Sequence, residues 1–243
     1  MFSWIIVFPI AIVAGLLSGV VGTGSSLLLL PVLVYAFGPK TAVPMMAIAA
    51  IIGNLSRVIV WRHHICWRPA LVYAMTGAPA AMVGAHTLLV LPGSVVDTAL
   101  GLFFWGLLPL RTLLQNRQWR LSLVQVSLCG GLIGFLTGLV VSTGPLSVPV
   151  FIAYGLQGGA FLGSEATSAL LLYSSKIATF ASMGALPTIT LLQGGLVGAG
   201  IMIGTVIGKP LVLNLSPKAS ARLIDLILAF SGSALLINAW HGY

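Results

Sequence analysis

The sequence predicts an all-α, polytopic membrane protein with about eight spans from two homologous halves, each opening with a broken helix. Three observations predict this fold class. The 243-residue chain is 58% hydrophobic but only 6% charged, whereas about a quarter of the residues in a soluble domain are charged. Its apolar runs approach the ~20 residues that span a bilayer. A glycine-containing motif at residues 15–31 also recurs at 134–149.

Each copy of this motif begins as an apolar helix with two glycines four residues apart, Gly15 and Gly19 in one copy and Gly134 and Gly138 in the other. The helix then breaks at small polar residues and resumes as an apolar run that reaches a proline. The breaks are Gly22-Thr23-Gly24-Ser25-Ser26 and Ser142-Thr143-Gly144-Pro145. Paired interruptions of this kind indicate the binding site of a transporter.

The first half contains five apolar helical segments. The first, at 4–21, is interpreted as a structural helix instead of a signal peptide, because no Lys or Arg precedes it and its glycine pair recurs. Tryptophans beside arginines at 61–69 predict an interfacial loop. The other predicted helices are 27–37, ended by Gly38-Pro39, then 42–61, 70–91, ended by Pro92-Gly93, and 95–114.

The second half repeats this plan after the strongly polar stretch at 115–120. We therefore divide the chain into a first membrane repeat, 1–116, and a second, 117–243. Ser56-Arg57 matches Ser175-Lys176 at an offset of 119 positions (176 − 57), the offset that also separates Gly15 from Gly134. The predicted helices of this half are 121–141, 146–156, 160–183, 188–212 and 219–240.

The number of crossings depends on the short segments 27–37 and 146–156. If each completes the crossing begun by the helix before it, the halves have four spans each and are parallel. If each crosses separately, the halves have five spans each and are inverted. An 11-residue helix reaches only about half of the ~30 Å hydrocarbon core, which favours four crossings plus a half-helix. Basic residues are divided too evenly among the loops to predict orientation.

The two breaks are candidate anion sites. Irregular backbone inside a bilayer persists only where protein or a wet cavity satisfies its polar groups. The start of each resumed helix presents unpaired N–H groups and a partial positive charge. The alternative is that these small residues only allow helices to pack closely, which explains the glycine pairs before the breaks. The predicted substrate-binding residues at the breaks are Thr23, Gly24, Ser25, Ser26, Ser142, Thr143 and Gly144.

Arg57 and Lys176 are candidate charge partners for the same anion. A charge at the centre of a spanning helix costs at least ~2.5–3.5 kcal/mol, so each should face a cavity, pair with an acid or bind an anion. With only three acids in the chain, internal pairing cannot satisfy every cation. Alternatively, both side chains extend from near the span ends to the interface.

Glu165 is the candidate group for proton coupling. It is the one acid inside a predicted span without an interfacial explanation, and a protonatable acid near a buried cation can carry a proton. It shares a helix face with Lys176 but lies about 16 Å away along the axis, too far for direct contact. The alternative is that Glu165 caps the N-terminus of its helix through the macrodipole.

Other function classes are disfavoured. The net charge of +8 comes from single basic residues scattered along apolar helices, so we expect no nucleic-acid partner. Cys66 and Cys129 form neither a disulfide framework nor a metal-binding spacing, and the histidines give no ligand pattern. No nucleophile motif is found. We expect no enzyme activity, no metal and no cofactor.

The duplicated motif and its breaks resemble the sulfite exporter TauE/SafE family, a group of duplicated membrane proteins. The resemblance covers nearly the whole chain and includes the glycine-rich spans at 77–84 and 198–208. It implies secondary transport of a small sulfur-containing anion such as sulfite, sulfoacetate or another organosulfonate.

Residues and resemblance together predict a secondary transporter, proton-coupled through Glu165, that binds a small anion between its halves. The alternative is a passive small-anion channel, whose flux would not saturate. The lipid bilayer is the other partner, and the sequence leaves a homo-oligomer open. The expected location is the cell membrane, with multiple passes, which is the inner membrane if the source is a Gram-negative bacterium.

Overall fold

The computed structural model describes residues 2–21, 24–115, 120–140, 144–212 and 217–241, and these residues form helices without strands. Each predicted helical segment corresponds to one helix. The helices are α1 (Phe2–Val21), α2 (Gly24–Phe37), α3 (Pro39–Trp61), α4 (Trp67–Val90), α5 (Gly93–Gln115), α6 (Leu123–Leu139), α7 (Gly144–Ala153), α8 (Gly158–Ser182), α9 (Thr188–Val212) and α10 (Pro217–His241).

Helix ends are set by residues that favour them. Gly38 has a φ of 74° between α2 and α3, a conformation that glycine adopts without steric cost. Pro39, which has no N–H to satisfy, then occupies the first turn of α3. Ser122 and Gln125 form a reciprocal capping box at the start of α6.

The predicted interfacial loop at 61–69 is much shorter in the structure. Arg62–His64 form a 3₁₀ turn directly after α3, and α4 already begins at Trp67. Pro69 therefore lies not in the loop but in the first turn of α4, where a missing N–H costs no intrahelical hydrogen bond.

Glycines let two pairs of helices approach closely. A Cβ at Gly15 or Gly204 would overlap the facing backbone of α9 or α1, respectively. Likewise, a Cβ at Gly134 or Gly138 would overlap the backbone of α4. The close-packing explanation for the repeated glycines therefore holds at Gly15, Gly134 and Gly138.

Helices α3 and α8 lie at the centre of the bundle. Residues 42–47 of α3 and 163–168 of α8 are all buried. Near their facing ends, Trp61 of α3 packs against Gly159 and Gly163 of α8. Since the C-terminal end of α3 meets the N-terminal end of α8, the two helices run antiparallel.

The contacts of α9 and α4 fix the direction of the remaining inner helices. Along α9, Gly200 and Gly204 meet successively later residues of α1, and Gly194 and Gly198 do the same along α3. Helices α1, α3 and α9 are therefore parallel to one another. Along α4, successively later residues likewise meet later residues of α6 and of α8. Helices α4, α6 and α8 are therefore parallel to one another, and they run opposite to the first set.

This arrangement corrects the expectation that each broken element makes one crossing. Because α1 and α3 run in the same direction, α2 between them must run back, and α7 must do so between α6 and α8. The difference arises because the sequence gives the length of each short helix but not the direction in which it leaves the break. At 14 and 10 residues, α2 and α7 span about 21 Å and 15 Å.

The outer surface is strongly apolar. On α6, Val124, Leu128 and Leu132 recur at helical spacing and are each about two-thirds exposed or more, which suits contact with lipid. Among the described residues, Lys40–His64 and Thr188–Ile207 are long and apolar enough to cross a membrane.

Candidate functional site

A buried ion pair joins α3 to α8. Arg57 Nη1 lies 2.9 Å from Glu165 Oε2, and the two side chains are only 13% and 4% exposed. A second guanidinium nitrogen, Nη2, donates to the Asn54 side-chain oxygen. Ser147 Oγ, on α7, donates to the other carboxylate oxygen, Oε1, at 3.0 Å. Three helices thus meet at one carboxylate.

The ion pair contradicts the alternative explanations given above for Arg57 and for Glu165. Arg57 does not extend to the interface, because its guanidinium turns inward to Glu165. Glu165 does not cap its helix, because α8 begins at Gly158 and the carboxylate lies two turns further on. The macrodipole acts only within the first turn. Each charge instead compensates the other in a region of low dielectric.

Lys176 contacts the end of α6, the helix that precedes the second break. Its side chain is fully buried, and Nζ donates to the carbonyl oxygens of Thr137 at 2.7 Å and Val140 at 3.3 Å. These carbonyls belong to the last turn of α6 and the residue after it, where a helix has no intrahelical donors left. The Phe180 ring lies beneath the ammonium, 5.5 Å from Nζ. Lys176 therefore stabilises the end of α6 at the break.

The two cations, at matching positions in the sequence, thus make different contacts with one broken element. Arg57 reaches α7 through Glu165 and Ser147, whereas Lys176 holds the end of α6. Helix α6 ends at Leu139 and α7 begins at Gly144, so the two sets of contacts lie on either side of the break.

The predicted serine donors of the first break lie in a buried turn. Gly24 is the first residue of α2, and Ser25 and Ser26 follow it with side chains that are buried. Gly144 is likewise the first residue of α7. Thr23, Ser142 and Thr143 lie outside the described residues. The grouping of all these donors around one ligand therefore stays a prediction.

Comparison with known proteins gives a family match over residues 7–235, to the family described as Sulfite exporter TauE/SafE. The chain belongs to the sulfite exporter TauE/SafE family. The resemblance inferred from the motifs is confirmed. With its apolar outer surface, family membership supports a membrane location.

Two relatives are each named "Probable membrane transporter protein", one from Xylella fastidiosa strain Temecula1 / ATCC 700964 and one from strain 9a5c. Each is 30% identical to this TauE/SafE member over 99 residues, which cover 39% of this chain and 36% of the relative. The matched part is thus about a third of each relative's length. No solved structure matches the chain.

The structure adds residues that sequence reasoning left out of the site. Asn54 contacts Arg57 from one helical turn away, so the three-residue spacing on α3 could have indicated it. Ser147 is the second addition, because its hydroxyl donates to the Glu165 carboxylate from α7.

Tyr73 of α4 is a further addition. Its ring packs on Phe151 of α7, with the ring centroids 5.2 Å apart. Among the residues that the structure describes, its buried hydroxyl has no hydrogen-bond partner. No local pattern connects Tyr73 to the site, because the contact depends on how α4 packs.

Proposed function

We propose that this TauE/SafE family member is a proton-coupled secondary transporter of a small sulfur-containing anion, such as sulfite, sulfoacetate or another organosulfonate. The observation that carries the proposal is the buried network of Arg57, Glu165 and Ser147 beside the second break. Intramembrane ionisable residues are costly and usually mark an ion or substrate pathway.

The proposed architecture is a multi-pass protein of the cell membrane, with two repeats at 1–116 and 117–243 in inverted orientation. Its support is the reciprocal packing of corresponding helices: α1 packs on α9 as α6 packs on α4, and α3–α8 and α5–α10 pair with each other. Corresponding helices α1 and α6 run in opposite directions, as inverted repeats require. A substrate site between such repeats can open alternately to each side.

The proposed binding site is formed by the two breaks. The N-termini of α2 and α7 would direct backbone N–H groups at an oxyanion, assisted by hydroxyls of Thr23, Ser25, Ser26, Ser142 and Thr143. Lys176 lies at the second break and adds a positive charge that its carbonyl partners leave uncompensated. An oxyanion replacing one of those carbonyls would place a full negative charge opposite the ammonium and so form a stronger hydrogen bond.

Glu165 supplies the proposed coupling. While its carboxylate is ionised, Arg57 is paired and unavailable to substrate. Protonation of Glu165 removes the negative charge and leaves the Arg57 guanidinium free to attract the anion. Proton and anion would then be bound together, so that the site changes little in net charge as the halves move.

The test is flux of sulfite and organosulfonates in proteoliposomes, with and without an imposed pH gradient. Saturable flux driven by the gradient is the expected result. Saturable flux that does not depend on the gradient would support a carrier but contradict the coupling role of Glu165. Linear flux would favour a passive small-anion channel, and absence of flux for all these anions would contradict the substrate class.

A further inference from the structure

A cavity of about 390 Å³ opens at the end of the bundle opposite the Arg57–Glu165 pair. Lys40 and Thr41, at the start of α3, form one wall, and Thr190, at the start of α9, forms another. Leu89 near the end of α4 and Ala185 in the loop between α8 and α9 also line the cavity. We call this the α3–α9 cavity.

Two long helices direct their positive ends at the α3–α9 cavity. Helix α3 has Gly38 as its N-cap and receives no hydrogen bond from a capping side chain. The N–H groups of Lys40 and Thr41 in its first turn therefore lack an intrahelical acceptor. At α9, Pro187 O accepts from Thr190 N at 2.8 Å, but the preceding N–H groups of the first turn have no helical acceptor.

Thr190 gives an independent indication of a ligand. Thr190 lines the cavity, and the residue is only 2% exposed. A helical threonine commonly donates to a carbonyl one turn back, as Thr205 does to Ile201 O. Within the described ranges, the Thr190 hydroxyl forms no such bond. A hydroxyl with no protein partner among these residues can donate to a molecule in the cavity.

The charges around the cavity indicate whether the bound molecule would be an anion or a cation. Lys40 is exposed at the mouth, and none of the described residues that line the walls is acidic. Backbone N–H groups, a hydroxyl and an ammonium are all hydrogen-bond donors, and together with two helix N-termini they favour an oxyanion. The volume exceeds that of several waters at about 30 Å³ each, so a sulfonate or phosphate group fits with its hydration.

We propose that the α3–α9 cavity binds an oxyanion, supplied either as a free anion or as the phosphate of a lipid headgroup. This site is separate from the breaks. Along α8, Met183 at the cavity lies seven residues beyond Lys176, or about 10 Å. The site therefore goes beyond the proposed transport mechanism and does not depend on it.

The test measures protection of a thiol introduced at Ala185. Cys66 and Cys129 are replaced by alanine, Ala185→Cys is added, and the rate of labelling by a neutral maleimide is followed in phosphatidylcholine nanodiscs. Methanesulfonate serves as the free-anion probe. With the probe at ten times its Kd, about one site in eleven is empty, so labelling should slow about tenfold. A thiol at Gln157, at the opposite end of the bundle, should be labelled at an unchanged rate.

Lys40→Gln and Thr190→Val should each abolish most of the protection. Arg68→Gln is the matched control, because it removes the same unit charge at the opposite end of the bundle and should leave protection intact. Thr190→Val keeps the shape of the side chain, so a loss of protection would report the hydroxyl and not a misfolded helix.

A second arm distinguishes the source of the oxyanion. If a lipid phosphate occupies the cavity, phosphatidylglycerol in the nanodisc should protect the thiol without methanesulfonate, and Lys40→Gln should again remove the effect. The proposal is overturned if neither probe protects the thiol, or if protection is equal in Lys40→Gln, Thr190→Val and wild type. Since the readout is binding, it stands whether or not the proteoliposome flux is found.

Discussion

Arg57 of α3 and Glu165 of α8 form an ion pair, with Nη1 and Oε2 2.9 Å apart, that closes one end of the contact between the two central helices. Trp61 packs on Gly159 and Gly163 just beyond it. A buried ion pair contributes little net stability when both members are present, but either charge alone is expensive. The pair is thus suited to a site where one charge is removed and restored by a proton.

Removing only one member of this pair should therefore destabilise the protein strongly. Arg57→Gln leaves the Glu165 carboxylate buried without its cation, and we expect a loss of about 3–5 kcal/mol. The double variant Arg57→Gln/Glu165→Gln should recover most of this loss, because two neutral amides can hydrogen-bond to each other. The measurement is thermal unfolding in detergent micelles, followed by tryptophan fluorescence.

A matched charge removal controls for the net-charge change in that experiment. Arg68→Gln removes an exposed cation and should change stability by no more than about 0.5 kcal/mol. The stability losses of Arg57→Gln and Glu165→Gln are then compared with the loss in the double variant. If the two single losses simply add, the two residues are not energetically coupled.

Glu165→Gln should uncouple transport from the proton gradient. A one-unit pH gradient supplies about 1.4 kcal/mol per proton, which is about tenfold in accumulation for each proton coupled. The amide cannot release a proton, so accumulation should fall to the level without a gradient, while downhill exchange continues. Gradient-driven accumulation that persists in the variant would place the proton-carrying group elsewhere.

Ser168→Ala is the control for Glu165→Gln. Ser168 lies one turn further along α8, and its hydroxyl donates to the backbone oxygen of Glu165 at 2.8 Å, not to the carboxylate. Coupling should survive this change. A loss of coupling in both variants would indicate a disturbed helix instead of a lost proton site.

The helices were predictable because each follows from a local property of the chain. The length of each apolar run predicted a helix, and helix-breaking residues such as Gly38 and Pro39 predicted where one helix ends and the next begins. The direction of α2 was not predictable, because it depends on α1 and α3 lying parallel against α9. That contact forms between residues nearly 200 positions apart, as between Gly15 and Thr205.

The candidate site was predicted residue by residue but not as a set of contacts. Buried charge in an apolar span singled out Arg57, Glu165 and Lys176, since desolvation is costly wherever the partner lies. Their partners could not be predicted, because Arg57 and Glu165 are 108 positions apart. The acid–base spacing visible within α8, Glu165 with Lys176, is too long for contact, and in the structure each of the two charges has other partners.

Lys176→Met should lower the stability of the break after α6. The thioether fills a similar volume but cannot donate to Thr137 O and Val140 O, which the ammonium binds. Loss of a hydrogen bond from a charged group costs about 1.5–3 kcal/mol. Thermal unfolding should show this loss, with Arg68→Met at the exposed start of α4 as the control. An unfolding midpoint equal to wild type would mean that Lys176 does not hold the end of α6.

Lys176→Gln separates this structural role from a role in binding. The amide retains a donor for one carbonyl, so stability should be affected less than in Lys176→Met, while the charge is lost. We expect weaker anion binding, seen as a higher KM in the flux assay. Flux indistinguishable from wild type would show that Lys176 is not a charge partner of the substrate.

Gly134→Ala should force α6 away from α4, whereas Gly131→Ala on the same helix should not. A Cβ at Gly134 would overlap the backbone oxygen of Gly77, but at Gly131 the nearest atom would be Thr76 Cβ at 3.8 Å. Overpacking costs about 1–3 kcal/mol, while alanine is a better helix former than glycine by up to about 1 kcal/mol. The unfolding midpoint should therefore fall for Gly134→Ala and stay level or rise for Gly131→Ala. Equal midpoints would mean that the α4–α6 contact is looser than the structure has it.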